Sequence, residues 1–151
     1  MMSGMIQTTS AVPAGRRITE AMIGLTGRSR SQRIVVAGAR GRELMLELHR
    51  RGYTRVETTG TCGLPRGQCH TALLDGRFQS VKAIETTLCW LIHFLAPAST
   101  LVVGIDGGAS GRKLRSMLER FGFEIEAGTR CEDGAAFLAC RRDAIEMATA
   151  A

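Results

Sequence analysis

No apolar run in this sequence is long enough to cross a membrane. The longest, Leu88 to Ala96, is broken by His93 and is less than half the ~20 residues a spanning helix needs. No CxxC pair exists among the five cysteines, Cys62, Cys69, Cys89, Cys131 and Cys140. A zinc site built from closely spaced thiolates is therefore not indicated, and no metal is expected. The first ten residues lack a basic flank leading into an apolar stretch, so no secretory signal is read, and reduced thiols in a cytoplasm are the expectation. Lysine is nearly missing: Lys82 and Lys113 stand against eighteen arginines.

What is present suits one globular domain. The chain has 151 residues, 44% of them apolar and 23% charged, enough for a single core. Its net charge of +6 is uneven, because residues 1–66 carry eleven Arg against four Glu, a balance of +7. Such asymmetry suits an anionic partner such as nucleic acid, a phosphorylated ligand or an acidic protein. A plain preference for arginine that keeps the surface soluble is the stronger reading of the same excess.

Residues 1–17 read as a flexible leader and 18–151 as one domain, with Thr19 capping a short helix to about Leu25. From Arg33 the punctuation becomes regular. Ile34-Val35-Val36-Ala37 reads as a buried strand ending at Gly38. A helix over 41–51 follows, with Leu44, Met45 and Leu48 on one face and Gly52 at its stop position. Strands are predicted at 53–58, 70–75 and 100–105. Between the last two lies a helix over 81–95, capped by Ser80 and ended by Pro97. Ser110 caps a further helix whose stripe is Leu114, Met117, Leu118 and Phe121, with Gly122 as its stop. Segments 123–128 and 135–141 close the chain as an antiparallel hairpin.

Strands alternating with helices predict an α/β, doubly wound, mostly parallel sheet of about six strands, the last two antiparallel. Ligands of such sheets bind outside the carboxyl ends of the strands, where strand order reverses. That rim would hold residues 38–42, 57–60, 75–77 and 106–108. Asp75 could orient or deprotonate a nucleophile there, or simply begin a turn with Gly76. Arg40 and Arg42 at a helix start could bind an anion, or pair with Glu43 and Glu47. His49, His70 and His93 read as surface, boundary or core residues. The helix over 81–95 is apolar almost all round, so it is either central in the sheet packing or part of a subunit contact, which a homodimer would provide.

The stretch IVVAGARGRELMLELHRRGYTRVE (34–57) resembles the first strand, glycine loop, helix and second strand of class I S-adenosylmethionine-dependent methyltransferases. HTALLDGRF (70–78) resembles their fourth strand, and FLAPASTLVVGI (94–105) their fifth with the turn before it. FGFEIEAG (121–128) and AAFLACRR (135–142) resemble the closing pair. The resemblance implies S-adenosylmethionine as cofactor, with Gly38, Ala39, Arg40 and Gly41 at its methionine end and Glu57 at its ribose. Asp75 and Gly76 would lie beside the methyl group, with Asp75 the catalytic candidate.

Three departures point to a reduced, methyltransferase-like domain degenerate in, or lacking, cofactor binding. Arg40 and Arg42 occupy the family's second and third glycine positions. The ribose-binding acid falls at Thr59, so Glu57 is two residues early. Residues 59–69 leave no room for the family's third strand. The alternative is a non-enzymatic module of the same fold that binds an anionic partner through its Arg-rich half. A nicotinamide-binding Rossmann domain fits less well, for want of the third helix glycine.

Overall fold

A computed structural model describes residues 14–27, 29–58, 67, 69–106, 111–131 and 134–141. The described elements are α1 (Ala14–Thr26), β1 (Arg33–Gly38), α2 (Gly41–Arg50), β2 (Arg55–Thr58), β3 (Cys69–Asp75), α3 (Val81–Leu91) with a 3-10 turn (Ile92–Phe94), β4 (Leu95–Asp106), α4 (Gly111–Arg120), β5 (Phe123–Cys131) and β6 (Gly134–Arg141). They form one six-stranded sheet in the order β2-β1-β3-β4-β6-β5. The first four strands run parallel, and β6 pairs antiparallel with both β4 and β5. The chain leaves β1 toward β2 and then returns past β1 to β3, so strand order reverses between β1 and β3.

Strand alternation divides the core into two layers. Ile34 and Val36 of β1 join Leu73 and Val102 beneath α1 (Ile18, Met22) and α2 (Leu44, Leu48). Val35 and Ala37 join Leu74 and Val103 beneath α3 (Ile84, Leu88, Leu91) and α4 (Leu114, Met117, Leu118). Two helices therefore cover each face, as a doubly wound sheet requires.

The helix stops fall where glycine was read. Gly52 has φ +96°; its N–H donates to His49 O at 3.0 Å, and the Tyr53 N–H donates to Leu48 O at 3.0 Å. These two bonds close α2 with the pair of reversed hydrogen bonds that a left-handed residue permits. Gly122 stops α4 at φ +86°, its N–H donating to Glu119 O at 3.0 Å. The Ser80 hydroxyl caps α3 by accepting Ala83 N–H at 3.1 Å.

Other boundaries moved. α1 begins at Ala14, so Thr19 lies inside it and residues 14–17 are helical rather than leader. α3 ends at Leu91, and β4 starts at Leu95. Pro97 thus sits inside a strand instead of ending a helix. It is tolerated there because pairing jumps from Cys69↔Leu95 to Thr71↔Thr100, and the irregularity spares a residue that has no N–H to donate. A second irregularity lies on β5, between Ile125 and Ala127. Ser110, Cys62 and the turn at 132–133 lie outside the described residues.

Helix α1 approaches the sheet closely because β4 has no side chain at Gly104. A Cβ there would stand 2.5 Å from Met22 Sδ and 2.9 Å from Ile18 Cγ2. Gly104→Ala is therefore expected to cost about 2 kcal/mol through overpacking, read as a lower urea midpoint. α1 is also tied to α2 by Arg51, which binds Glu20 of α1 and Glu47 of its own helix. The hydrogen bond to Glu20 is the largest influence raising the Arg51 pKa.

Candidate functional site

The carboxyl rim is built around one row of the sheet. Gly38 of β1 is in register with Asp75 of β3, and Asp75 with Gly104 of β4. The chain turns tightly after Asp75, and the Gly76 N–H donates to Gly104 O at 2.7 Å. A Cβ on Gly76 would stand 2.7 Å from Ile84 Cδ1. Gly38 has φ +110°, and a Cβ there would stand 2.1 Å from Asp75 O. The space opened by this glycine is filled by the neighbouring strand's backbone.

Asp75 is wholly buried. Its Oδ1 accepts Arg77 Nε at 2.9 Å and the Arg77 backbone N–H at 3.1 Å. Its Oδ2 accepts Arg77 Nη2 at 2.6 Å. Arg77 is buried as well, so the two form a bidentate pair inside the turn after β3. The carboxylate proposed as a catalytic base is engaged by its own chain.

The next residue faces outward. Phe78 is the only non-glycine among the described residues with positive φ, at 64°, and it is 70% exposed. An aromatic side chain in that backbone region costs about 1–2 kcal/mol. The conformation is held by Asp106 at the end of β4, whose Oδ2 accepts the Phe78 N–H at 2.7 Å.

Arg40 completes the arrangement from the other side. It precedes α2 with φ −113° and ψ 27°. Its guanidinium lies 4.9 Å from the Phe78 ring centroid, and its Nη1 donates to Glu43 Oε1 at 3.0 Å. This cation–π contact joins the turn after β1 to the turn after β3. Gly41 is buried against Val36, while Ala39 and Arg42 are exposed.

The rim thus brings Gly38, Ala39, Arg40, Gly41, Asp75 and Gly76 together. Glu57 is set back. It pairs in register with Val35, three residues before Gly38, which is about 10 Å along the strand direction. Thr58 ends β2, and residues 59–60 and 107–108 of the expected rim lie outside the described residues. Sequence reading missed Arg77 and Phe78 as determinants of this site. An arginine two positions after an acid that ends a fully buried strand is the signal that could have found the ion pair.

Among the described residues, no three His, Cys, Asp or Glu side chains come together as a metal site. Cys69 is buried, with Sγ 2.9 Å from Thr71 O. Burial first, and then a hydrogen bond to Glu126, pushes the Cys140 thiol up to about 11. No described helix is long and apolar enough to cross a membrane.

Strand order, helices on both faces and a reversal between β1 and β3 define a Rossmann-like α/β domain. The antiparallel strand inserted between β4 and β5 makes it methyltransferase-like, and solved structures agree. A ribosomal protein L11 methylase from Lactobacillus delbrueckii subsp. bulgaricus superposes with TM-score 0.59 at 11% identity, over 84% of this chain and 78% of that one. A SAM-dependent methyltransferase from Archaeoglobus fulgidus gives 0.58 at 13% identity, over 83% and 92%. The [4+2]-cyclase SpnF gives 0.62 at 12% identity, over 84% and 80%. At such identities the likeness is one of fold, and a cyclase among these structures shows that the fold alone does not fix the reaction. No protein-family model and no curated protein sequence matches the chain.

Proposed function

We propose that this chain is a reduced methyltransferase-fold domain that does not use S-adenosylmethionine as a methyl donor. The observation that carries this reading is the Arg40–Phe78 contact, which spans the gap between the turns after β1 and β3. A ligand entering at the strand-order reversal would have to separate the two side chains first.

The residues named for the cofactor support the same reading. The backbone space at Gly38 is occupied by Asp75, the Asp75 carboxylate is held by Arg77, and Glu57 stands well below the rim. Among the described residues, no other carboxylate lies on β2 to take its place. These side chains do not fit the cofactor in the manner the family resemblance implies. No reaction step is therefore assigned to it.

Thermal denaturation with S-adenosylmethionine and S-adenosylhomocysteine, with NAD as control, tests the proposal. A native-state ligand at a hundredfold excess over its dissociation constant adds about 2.7 kcal/mol, and for a chain of this size that raises Tm by roughly 5–10 °C. No shift at millimolar ligand is expected. A saturable rise with either adenosyl compound and none with NAD would overturn the reading.

A further inference from the structure

The most unusual surface lies away from the rim, where β2 forms one edge of the sheet. Helix α3 sits over β1, and α4 packs toward the opposite edge against β5. On this face the amino ends of β1 and β2 present Arg33 and Arg55, directly opposite one another in register. Both are exposed, and alternation puts them on the same face as Val35, the face of α3 and α4. Among the described residues neither guanidinium has a carboxylate partner. Glu57, the nearest acid along β2, pairs in register with Val35 and forms no ion pair with either. Like charges placed opposite each other weaken a sheet, so the fold gains nothing from this pair.

Beside these arginines stands an aromatic pair. Trp90 is 55% exposed, and its ring centroid is 5.3 Å from that of Phe94, tilted by 50°. Glu85 marks the side of α3 that faces α4, through its ion pair with Arg120. Trp90 follows five residues later, about 140° around the helix axis. It therefore lies on the side turned away from α4, toward β1 and β2. Leu88 and Leu91 hold the helix to the sheet, so Trp90 is not needed for that core.

We infer that this flank binds single-stranded nucleic acid. Arg33 and Arg55 contact successive backbone phosphates, and Trp90, braced by Phe94, stacks on an adjacent base. Guanidinium groups match phosphate bidentately, and an exposed ring beside a cationic track is the arrangement that holds single strands without reading their sequence. An acidic protein would be served by the charges alone and would leave the exposed indole unused.

Trp90 is the only tryptophan in the chain, so its fluorescence reports the contact directly. The full chain is titrated with a short oligouridylate, a short oligothymidylate and inorganic polyphosphate, between about 50 and 200 mM salt. Saturable quenching by an oligonucleotide is expected, with a preference for uridylate or thymidylate identifying the ribose or deoxyribose polymer as the natural source. Arg33→Gln with Arg55→Gln should weaken binding at least ~10-fold at the lower salt and reduce the logarithmic salt slope by about 1.4, two contacts at ~0.7 each. By anisotropy of a labelled oligonucleotide, Trp90→Ala should lose roughly 5- to 100-fold in affinity and Trp90→Phe most of that less. Glu57→Gln should tighten binding. All four positions are exposed, and unchanged melting curves verify folding. No saturable quenching, indifference to the arginine pair, or equal competition by polyphosphate with no effect at Trp90 would each overturn the inference. None of these outcomes depends on the rim, so the adenosyl-binding test stands or falls separately.

Discussion

Gly38→Ala is expected to remove about 4 kcal/mol of stability, a large share of the 5–15 kcal/mol typical of a domain. Two independent costs add at this position. The backbone has φ +110°, where an L side chain pays about 1–2 kcal/mol. The new methyl would also stand 2.1 Å from Asp75 O and 2.8 Å from Asp75 C. Both are backbone atoms of the central strand pair, so neither can swing aside as a flexible side chain would, and overpacking adds a further ~1–3 kcal/mol. Urea denaturation followed by circular dichroism measures the loss as a lower midpoint at similar slope. Gly24→Ala is the matched control: nothing lies within 4 Å of its added Cβ, inside α1, so it should be neutral or stabilising by up to ~1 kcal/mol. A Gly38→Ala protein as stable as its parent would mean that β1 and β3 do not meet in this register.

Arg77→Met carries the second large effect, about 3–5 kcal/mol of destabilisation. The substitution keeps much of the side-chain volume but removes both guanidinium contacts, at 2.9 and 2.6 Å, from a wholly buried carboxylate. Asp75 would then keep only the backbone N–H of residue 77 as a described partner. Adding Asp75→Asn should return much of the loss. It withdraws the stranded charge and keeps an oxygen to accept that N–H. The four proteins form a double-mutant cycle, and a coupling below about 0.5 kcal/mol would show that the two side chains do not share a buried bond. Because the pair sits in the turn that displays Phe78, its loss should also loosen the rim.

Much of this architecture is written locally. The stops at Gly52 and Gly122, the cap at Ser80 and the apolar stripes of α2 and α4 depend on residues within one or two turns of each other, and these were legible. Pro97 misled because proline ends helices far more often than it sits at a strand irregularity, and the register that accommodates it is set by Cys69 and Thr71 on another strand. The offset of Glu57 was already visible as two residues short of the ribose position, and pairing with Val35 adds its depth relative to Gly38, which depends on register with another strand.

The site itself was half legible. Gly38 in the sequence reads as a cradle for a ligand, since a glycine loop after a buried strand has that use in many α/β proteins. The structure gives the glycine another reason: the carbonyl of Asp75 takes up the space. Asp75 reads as a free acid until Arg77 is seen to fold back on it, a side-chain conformation that depends on packing after the turn. Phe78 carries no local sign of its left-handed backbone, because the hydrogen bond that holds it comes from Asp106, 28 residues away.

The irregularity on β5 bears on how the molecule behaves in crowded solution. This strand is the outer edge opposite β2, and a straight nine-residue edge would invite another molecule to extend the sheet. The break in pairing between Ile125 and Ala127 bends the edge and throws its outward amides out of line, with Glu124 and Glu126 on either side of Ile125. A neighbour could match only a few residues before falling out of step, so the sheet is guarded against open-ended fibrillar growth from that side.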